Sequence, residues 1–176
     1  MRAIFTKKLV LRPFKISDQD DIHAYASDPE VTKYTLFGPN TIDETKTFIE
    51  GVMLYEKEVP QKHFEYAIVY NHHVIGAVSI HFQDDFQVAE MGWILNRNYQ
   101  GQGFAYEAAC ALKETMIERY HPKRLIAHCD SRNTPSYRLM EKLGFQEESL
   151  TPGVEIHKKE GVVLRDELLY TINVSQ

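Results

Sequence analysis

The chain has 176 residues, 43% apolar and 26% charged, with a formal net charge of -5 at pH 7. That length suits one globular domain with its own core, and the acidic balance excludes generic nucleic-acid binding, which needs clustered lysine and arginine on phosphates. No run approaches the roughly 20 apolar residues that cross a bilayer, and Arg2, Lys7, Lys8 and Arg12 interrupt the N-terminus where a signal peptide needs an apolar stretch, so a cytoplasmic protein with no membrane partner is expected.

In chain order, Leu9-Val10-Leu11-Arg12 reads as a short strand stopped by Pro13. Ser17 is placed to cap a helix over about 18–27 with acidic residues in its first turn, and Asp28-Pro29 ends it. Residues 34–40, with Gly38-Pro39, read as a loop, after which Thr41 or Asp43 caps a second helix with Phe48, Ile49, Val52, Met53 and Tyr55 on its apolar side. Segments 64–70, 74–82 and 86–95 are rich in β-branched and aromatic residues and are separated by Asn71-His72-His73 and Gln83-Asp84-Asp85, which predicts an antiparallel meander.

From Phe104 the period changes. Phe104, Ala108, Leu112, Met116 and Tyr120 recur every four residues, predicting a helix packed along one face and stopped by Pro122. Residues 125–129 form a short buried strand, Thr134-Pro135 opens a further helix and Gly144 ends it. Segments 145–150 and 162–174 complete a mixed α/β sheet, and strand, helix, strand in succession implies one parallel pairing near its middle. Cys110 and Cys129 sit among apolar neighbours and read as reduced core thiols. The eight histidines show no metal-ligand spacing, so no metal is expected.

The segment Gln100-Gly101-Gln102-Gly103-Phe104-Ala105 lies between a strand and an amphipathic helix. Small residues there let backbone approach a ligand, and the first helical N–H groups lack internal partners, so the place suits a phosphate. A dinucleotide fingerprint would need glycine where Tyr106 stands, and a P-loop would need Gly-Lys-Ser/Thr. Taken alone, two glycines serve equally as a tight strand-to-helix turn.

The wider context decides. The pattern Gln/Arg-x-x-Gly-x-Gly/Ala, met here by Gln100 to Ala105, resembles the pyrophosphate motif of the GNAT acetyltransferases, as do the flanks Ala89-Glu90-Met91-Gly92-Trp93 and Glu107-Ala108. Asn133-Thr134-Pro135-Ser136 followed by Glu141-Lys142-Leu143-Gly144-Phe145 resembles the family's second motif. Leu9 to Phe14 resembles the opening of its ribosomal-protein N-terminal acetyltransferase branch, and the likeness covers nearly the whole chain.

The resemblance implies one domain over 1–176, with a mostly antiparallel sheet of about seven strands, splayed between its fourth and fifth, and about four helices. It implies acetyl-CoA as cosubstrate, with pyrophosphate on the amides of Gln102, Gly103 and Ala105 in a loop completed by Gln100, Gly101 and Phe104. Ile94 and Leu95 would contact the pantetheine arm through their backbone, and Asn133 and Ser136 would meet the coenzyme from the second motif. A homodimer is implied as well.

Acetyl transfer by direct attack of an amine on the thioester needs a neutral nucleophile, an oxyanion donor and a proton for the departing thiolate. Glu90 matches the glutamate taken as base in that branch; a carboxylate on a wet sheet face or in an ion pair is the other reading. A backbone N–H near Leu95, where the family bulges its strand, is the expected oxyanion donor. Many members place a tyrosine acid where this chain has Met140, which has no proton to give. Ser136 therefore comes first and Tyr137 second as acid, although such a hydroxyl also bonds backbone and such a phenol also packs. Tyr34, Phe37 and Trp93 are the candidates to line the acceptor pocket.

The acceptor is read as a primary amine: a protein N-terminal α-amine, or a small amine such as an antibiotic, polyamine or amino-acid derivative. The reading from another class is an acyl-CoA-binding regulatory module without turnover, to which Met140 lends weight.

Overall fold

A computed structural model describes residues 2–159 and 161–174. Its strands are β1 (Ile4–Phe5), β2 (Val10–Arg12), β3 (His63–Tyr70), β4 (His73–Gln83), β5 (Val88–Leu95), β6 (Arg124–Asp130), β7 (Gln146–Lys158) and β8 (Gly161–Asn173). They form one sheet in the order β1-β2-β3-β4-β5-β6-β8-β7. Every neighbouring pair is antiparallel except β5 with β6. The helices are α1 (Gln19–Ala26), α2 (Pro29–Thr32), α3 (Ile42–Tyr55), α4 (Phe104–Tyr120) and α5 (Thr134–Lys142).

Two apolar layers hold the sheet. Phe104, Ala108, Leu112 and Met116 of α4, spaced by four, are all buried and pack with Val78, Ile80, Ala89, Met91, Leu125 and Ala127. On the opposite side, Ile22 and Tyr25 of α1 and Ile49 and Val52 of α3 cover Ala67, Val74 and Ala77. Because successive strand residues point to opposite faces, Ala89 and Met91 face α4, whereas Glu90 between them faces the α1/α3 side. Fully burying each side chain of Leu or Ile size contributes about 1.5–3 kcal/mol.

The fold matches the expected class, with an eighth strand and a fifth helix among the described residues. The additional strand is β1, two residues long, and the additional helix is α2, begun where a helix end is expected: the Asp28 carboxylate accepts from the Glu30 N–H at 2.9 Å. Ser17 caps nothing. It sits inside a 3-10 turn, Ile16–Asp18, because the buried Asp18 carboxylate binds the Lys15 N–H at 2.9 Å and both terminal nitrogens of Arg12 at 2.7 and 2.8 Å. Thr41, not Asp43, caps α3, in a reciprocal box with Glu44. Phe48 and Met53 are each 37% exposed, and Thr45 takes the buried position beside Ile49.

The third strand of the meander begins at Val88 rather than residue 86, since 84–86 form a 3-10 turn with positive φ at each residue. The largest difference is β7, which runs to Lys158 instead of stopping at 150. Its register against β8 shifts between Thr151 and Val154, so Pro152 and Gly153 are absorbed as an irregularity rather than ending the strand.

Candidate active site

The parallel joint is short. β5 and β6 pair only at Val88–Arg124, Ala89–Leu125 and Glu90–Ile126. Beyond that vertex β5 continues to Leu95 against β4, while β6 continues to Asp130 against β8. The two carboxyl ends therefore diverge, as expected between the fourth and fifth of seven strands, which are β5 and β6 once β1 is counted. The inner edge of residues 91–95 carries backbone groups that no β6 residue pairs, and such groups need a partner. The bulge expected near Leu95 is not there: β5 matches β4 one for one from Val88 to Leu95. A close approach replaces it, with a Cβ placed on Gly76 falling 2.3 Å from the Ile94 carbonyl oxygen.

The turn out of β5 is braced by its own side chains. Asn96 accepts from the Asn98 N–H at 3.0 Å, Gln100 Nε2 donates to the Leu95 carbonyl at 3.0 Å, and Gln102 Nε2 donates to the Asn98 carbonyl at 3.2 Å. Gly101 and Gly103 have φ of +73° and +83°, and open space surrounds both Cβ positions. Glycine is thus required by the dihedral and not by packing. Gly103 caps α4 with no side chain on the first helical amides, leaving the positive end of a 17-residue helix open to an anion. Phe104 is buried against Tyr70, and Ala105 packs on the core. Glu107 accepts from the Thr6 hydroxyl at 2.6 Å and the Lys8 N–H at 2.7 Å, tying the β1–β2 hairpin to this turn.

Glu90 stands at the vertex, half-buried, with Gln83 Nε2 3.4 Å from its carboxylate. Opposite it in register on β4 is His81, whose Nε2 lies 3.4 Å from Glu65. Asn133 opens α5, and its side chain caps nothing, although its carbonyl accepts from the N–H groups of Ser136 and Tyr137 at 3.0 and 3.3 Å. Ser136 faces Cys129 on β6: burial pushes that thiol up to about 11, and a hydrogen bond with the Ser136 hydroxyl acts in the opposite sense. Tyr137 is half-buried against the α4 core, and Met140, 1% exposed, is core outright.

On the α1/α3 side of the sheet lies a cavity of about 410 Å³, walled by the 29–39 segment, the end of β6 and the β7–β8 hairpin. Of the three candidates for an acceptor pocket, Tyr34 lines this cavity and Phe37 and Trp93 do not. Phe37 is 43% exposed on its loop. Trp93 lies on the other face of the sheet, with Met91 and Leu95, and packs against the α4 cluster. Sequence reasoning missed the charged wall: Lys33, Asp130, Arg132, Lys158 and Arg165. The hairpin is fastened across the cavity, Lys158 Nζ donating to the Thr32 and Lys33 carbonyls at 3.0 and 3.2 Å and Lys159 Nζ bonding the Pro39 carbonyl and Glu44.

Asp130, 3% exposed, takes Arg132 Nε at 2.9 Å and its terminal nitrogen at 2.6 Å. Those hydrogen bonds hold the Asp130 carboxyl below the usual carboxylate range. A lowered folded pKa contributes stability that is present above the unfolded value of about 4 and is lost as pH falls through the folded one. Asp130→Asn should therefore melt below the wild type by about 1 kcal/mol equivalent near neutrality, discounted because Arg132 is largely exposed. The gap should close below about pH 4 in thermal melts across the acid range. A gap that is constant throughout would assign Asp130 no ionic role.

The sheet parts at its single parallel joint, beside a helix N-terminus that no side chain caps, and comparison with known proteins supplies the class, an acyltransferase. The family model described as Acetyltransferase (GNAT) domain matches residues 8–146, and the chain belongs to that family. It is 33% identical over 145 residues to the uncharacterized N-acetyltransferase YnaD of Bacillus subtilis (strain 168), spanning 82% of this chain and 83% of that one. A GNAT-family acetyltransferase from Bacillus anthracis superposes with a TM-score of 0.83 at 29% identity, covering 98% of each chain. The ribosomal L7/L12 α-N-protein acetyltransferase RimL, solved with coenzyme A, superposes with a TM-score of 0.82 over 98% of each chain; at 18% identity it shows the fold alone. Among the described residues no group of histidine, cysteine and carboxylate side chains is arranged for a metal, and no helix is long and apolar enough to cross a membrane.

Proposed function

We propose that this enzyme moves the acetyl group of acetyl-CoA to a primary amine by direct attack of the amine on the thioester. The observation that carries the reading is the parting of β5 from β6 at Glu90–Ile126, with the open end of α4 beside it. The amides of Gln102, Gly103 and Ala105 receive the pyrophosphate, in the loop that Gln100, Gly101 and Phe104 shape. The free edge at Ile94 and Leu95 takes the pantetheine arm as it would take an added strand, and Asn133, whose side chain is not used as a cap, meets it from the other lip of the gap.

Glu90, at the vertex, removes the proton of the incoming ammonium, directly or through one water. A main-chain N–H on the free edge near Leu95 holds the oxyanion, fixed in place before the reaction begins. As the carbon–sulfur bond breaks, the second proton of the amine passes to the thiolate by way of the Ser136 hydroxyl, already beside the Cys129 thiol, which gives its own proton and takes the amine's; Tyr137 is the second candidate for that relay. Met140 is buried and takes no part. The same reading carries a cytoplasmic location and a homodimer.

The test is a thermal shift series with acetyl-CoA, CoA, NAD and ATP. A ligand at 100 times its dissociation constant stabilises by about 2.7 kcal/mol, which moves the midpoint of a domain this size by about 5–10 °C. Acetyl-CoA and CoA should shift it and NAD should not. The absence of any shift at millimolar coenzyme would remove the reading.

A further inference from the structure

The cavity on the α1/α3 side carries more positive charge than its surroundings predict. The whole chain is at -5, yet Lys33, Arg132, Lys158 and Arg165 line this one concavity with a single carboxylate, Asp130. Asp130 is matched by Arg132, and Glu167, just behind the wall, is bonded to Arg165. Counting both carboxylates, two cations remain in excess. A concave, partly dry wall focuses that excess onto whatever enters.

Two side chains are placed to use it. Arg165 is 9% exposed, bonds Glu167 through one terminal nitrogen, and its Nε has no partner among the described residues. Buried polar groups are seldom left this way without a ligand or a water to take them. Lys33 makes no ion pair among the described residues and lies with its ammonium 5.4 Å from the centre of the Tyr34 ring. Lys158 and Arg132, by contrast, are already spent on carbonyls and on Asp130. Such a wall repels an amine that brings only its own positive charge, and it seats one that also brings a negative charge.

We propose that the acceptor is a small primary amine carrying its own anionic group, a carboxylate or a phosphate, bound by Arg165 and Lys33 with its amine directed to the gap between β5 and β6. This deepens the acetyl-transfer reading and rests on it. A space of about 410 Å³ is of small-molecule size, and it lies on the same side of the sheet as Glu90.

The test begins with binding, so that it does not depend on finding the acceptor. The full chain, saturated with CoA, is melted with succinate or inorganic phosphate at constant ionic strength, against sodium chloride alone. At least one anion should raise the midpoint of the wild type, and both Lys33→Glu and Arg165→Met should weaken the effect. Lys33 is exposed, so its variant keeps the test open where Arg165→Met fails to fold. No rise with either anion overturns the proposal.

Turnover is then compared within matched pairs, phosphoethanolamine with ethanolamine and β-alanine with β-alaninamide, and with a peptide bearing an N-terminal serine. The charged member of at least one pair should show kcat/KM about tenfold higher or more, the worth of one charge-assisted hydrogen bond, and Lys33→Glu should narrow the ratio. Equal rates within both pairs, or the peptide as the best acceptor, overturn the proposal and leave acetyl transfer standing. The coenzyme shift described above judges acetyl transfer separately.

Discussion

Replacing Glu90 by glutamine should lower kcat by about 10²–10⁴-fold, the usual worth of a positioned general base, with the dissociation constant of acetyl-CoA almost unchanged. The substitution keeps the shape of the side chain and its contact with Gln83, so it removes a proton acceptor and little else. Glu90 is the last β5 residue that β6 pairs, and it points to the side of the sheet on which the cavity lies, while the amides proposed for the coenzyme follow the far end of the strand. A loss confined to turnover is therefore the expected pattern. Release of free thiol under saturating acetyl-CoA measures it, and the remaining activity of the variant should rise with pH along the acceptor amine's own titration. An unchanged kcat would make Glu90 a structural partner of Gln83 and return the search for the base to water.

Gly76→Ala is expected to be the most damaging of the small substitutions. The added methyl would lie 2.3 Å from the Ile94 carbonyl oxygen and 3.0 Å from the Leu95 Cα. Both are main-chain atoms, so no side chain can turn aside, and β4 and β5 must separate where Gly76 pairs with Leu95. Overpacking a core typically costs about 1–3 kcal/mol, and a clash with backbone belongs at the top of that range. The damage is also local to function, because the far edge of the same β5 residues is the one assigned to the pantetheine arm. Urea unfolding should show the lost stability, and acetyl-CoA affinity of the folded fraction should fall about tenfold or more, as expected when a ligand edge is displaced by an ångström. Normal affinity in a destabilised variant would separate Gly76 from the coenzyme site.

What was legible in the sequence follows what each segment buries. The helix α4 announces itself through apolar residues four apart, of which Phe104, Ala108, Leu112 and Met116 are buried and Tyr120 is partly so. The turn before it is legible because two glycines hold positive φ, which few other residues tolerate. β7 is hidden for the opposite reason: it is exposed along most of its length and leaves no alternation to read. Trp93 lies on the α4 side of the sheet, away from the cavity that Tyr34 lines, a distinction that aromatic character alone cannot make. Ser17 loses its capping role to Arg12 and Asp18, a contact across a turn that helix-start signals do not include. The parting of β5 from β6 was foreseen from family likeness and not from periodicity, since both strands continue to alternate after they diverge. The cationic wall is assembled from residues 33, 132, 158 and 165, which meet only once the sheet has formed.

The fastening of the β7–β8 hairpin gives the cavity an unusual character. Two consecutive amines cross to the 32–44 region, one gripping the carbonyls that end α2 and the other the Glu44 carboxylate that also closes the start of α3. The hydrogen bond from Lys159 holds that carboxyl down to about 2. The clasp is built from hydrogen bonds and one ion pair, and the Lys159–Glu44 pair is open to solvent. Its strength is set by the solvent ions around it, at a screening distance of about 8 Å under physiological salt. If the cavity receives the acceptor as proposed, raising the salt concentration should loosen that side of the molecule and leave the β4–β5 side, held by strand pairing, unchanged.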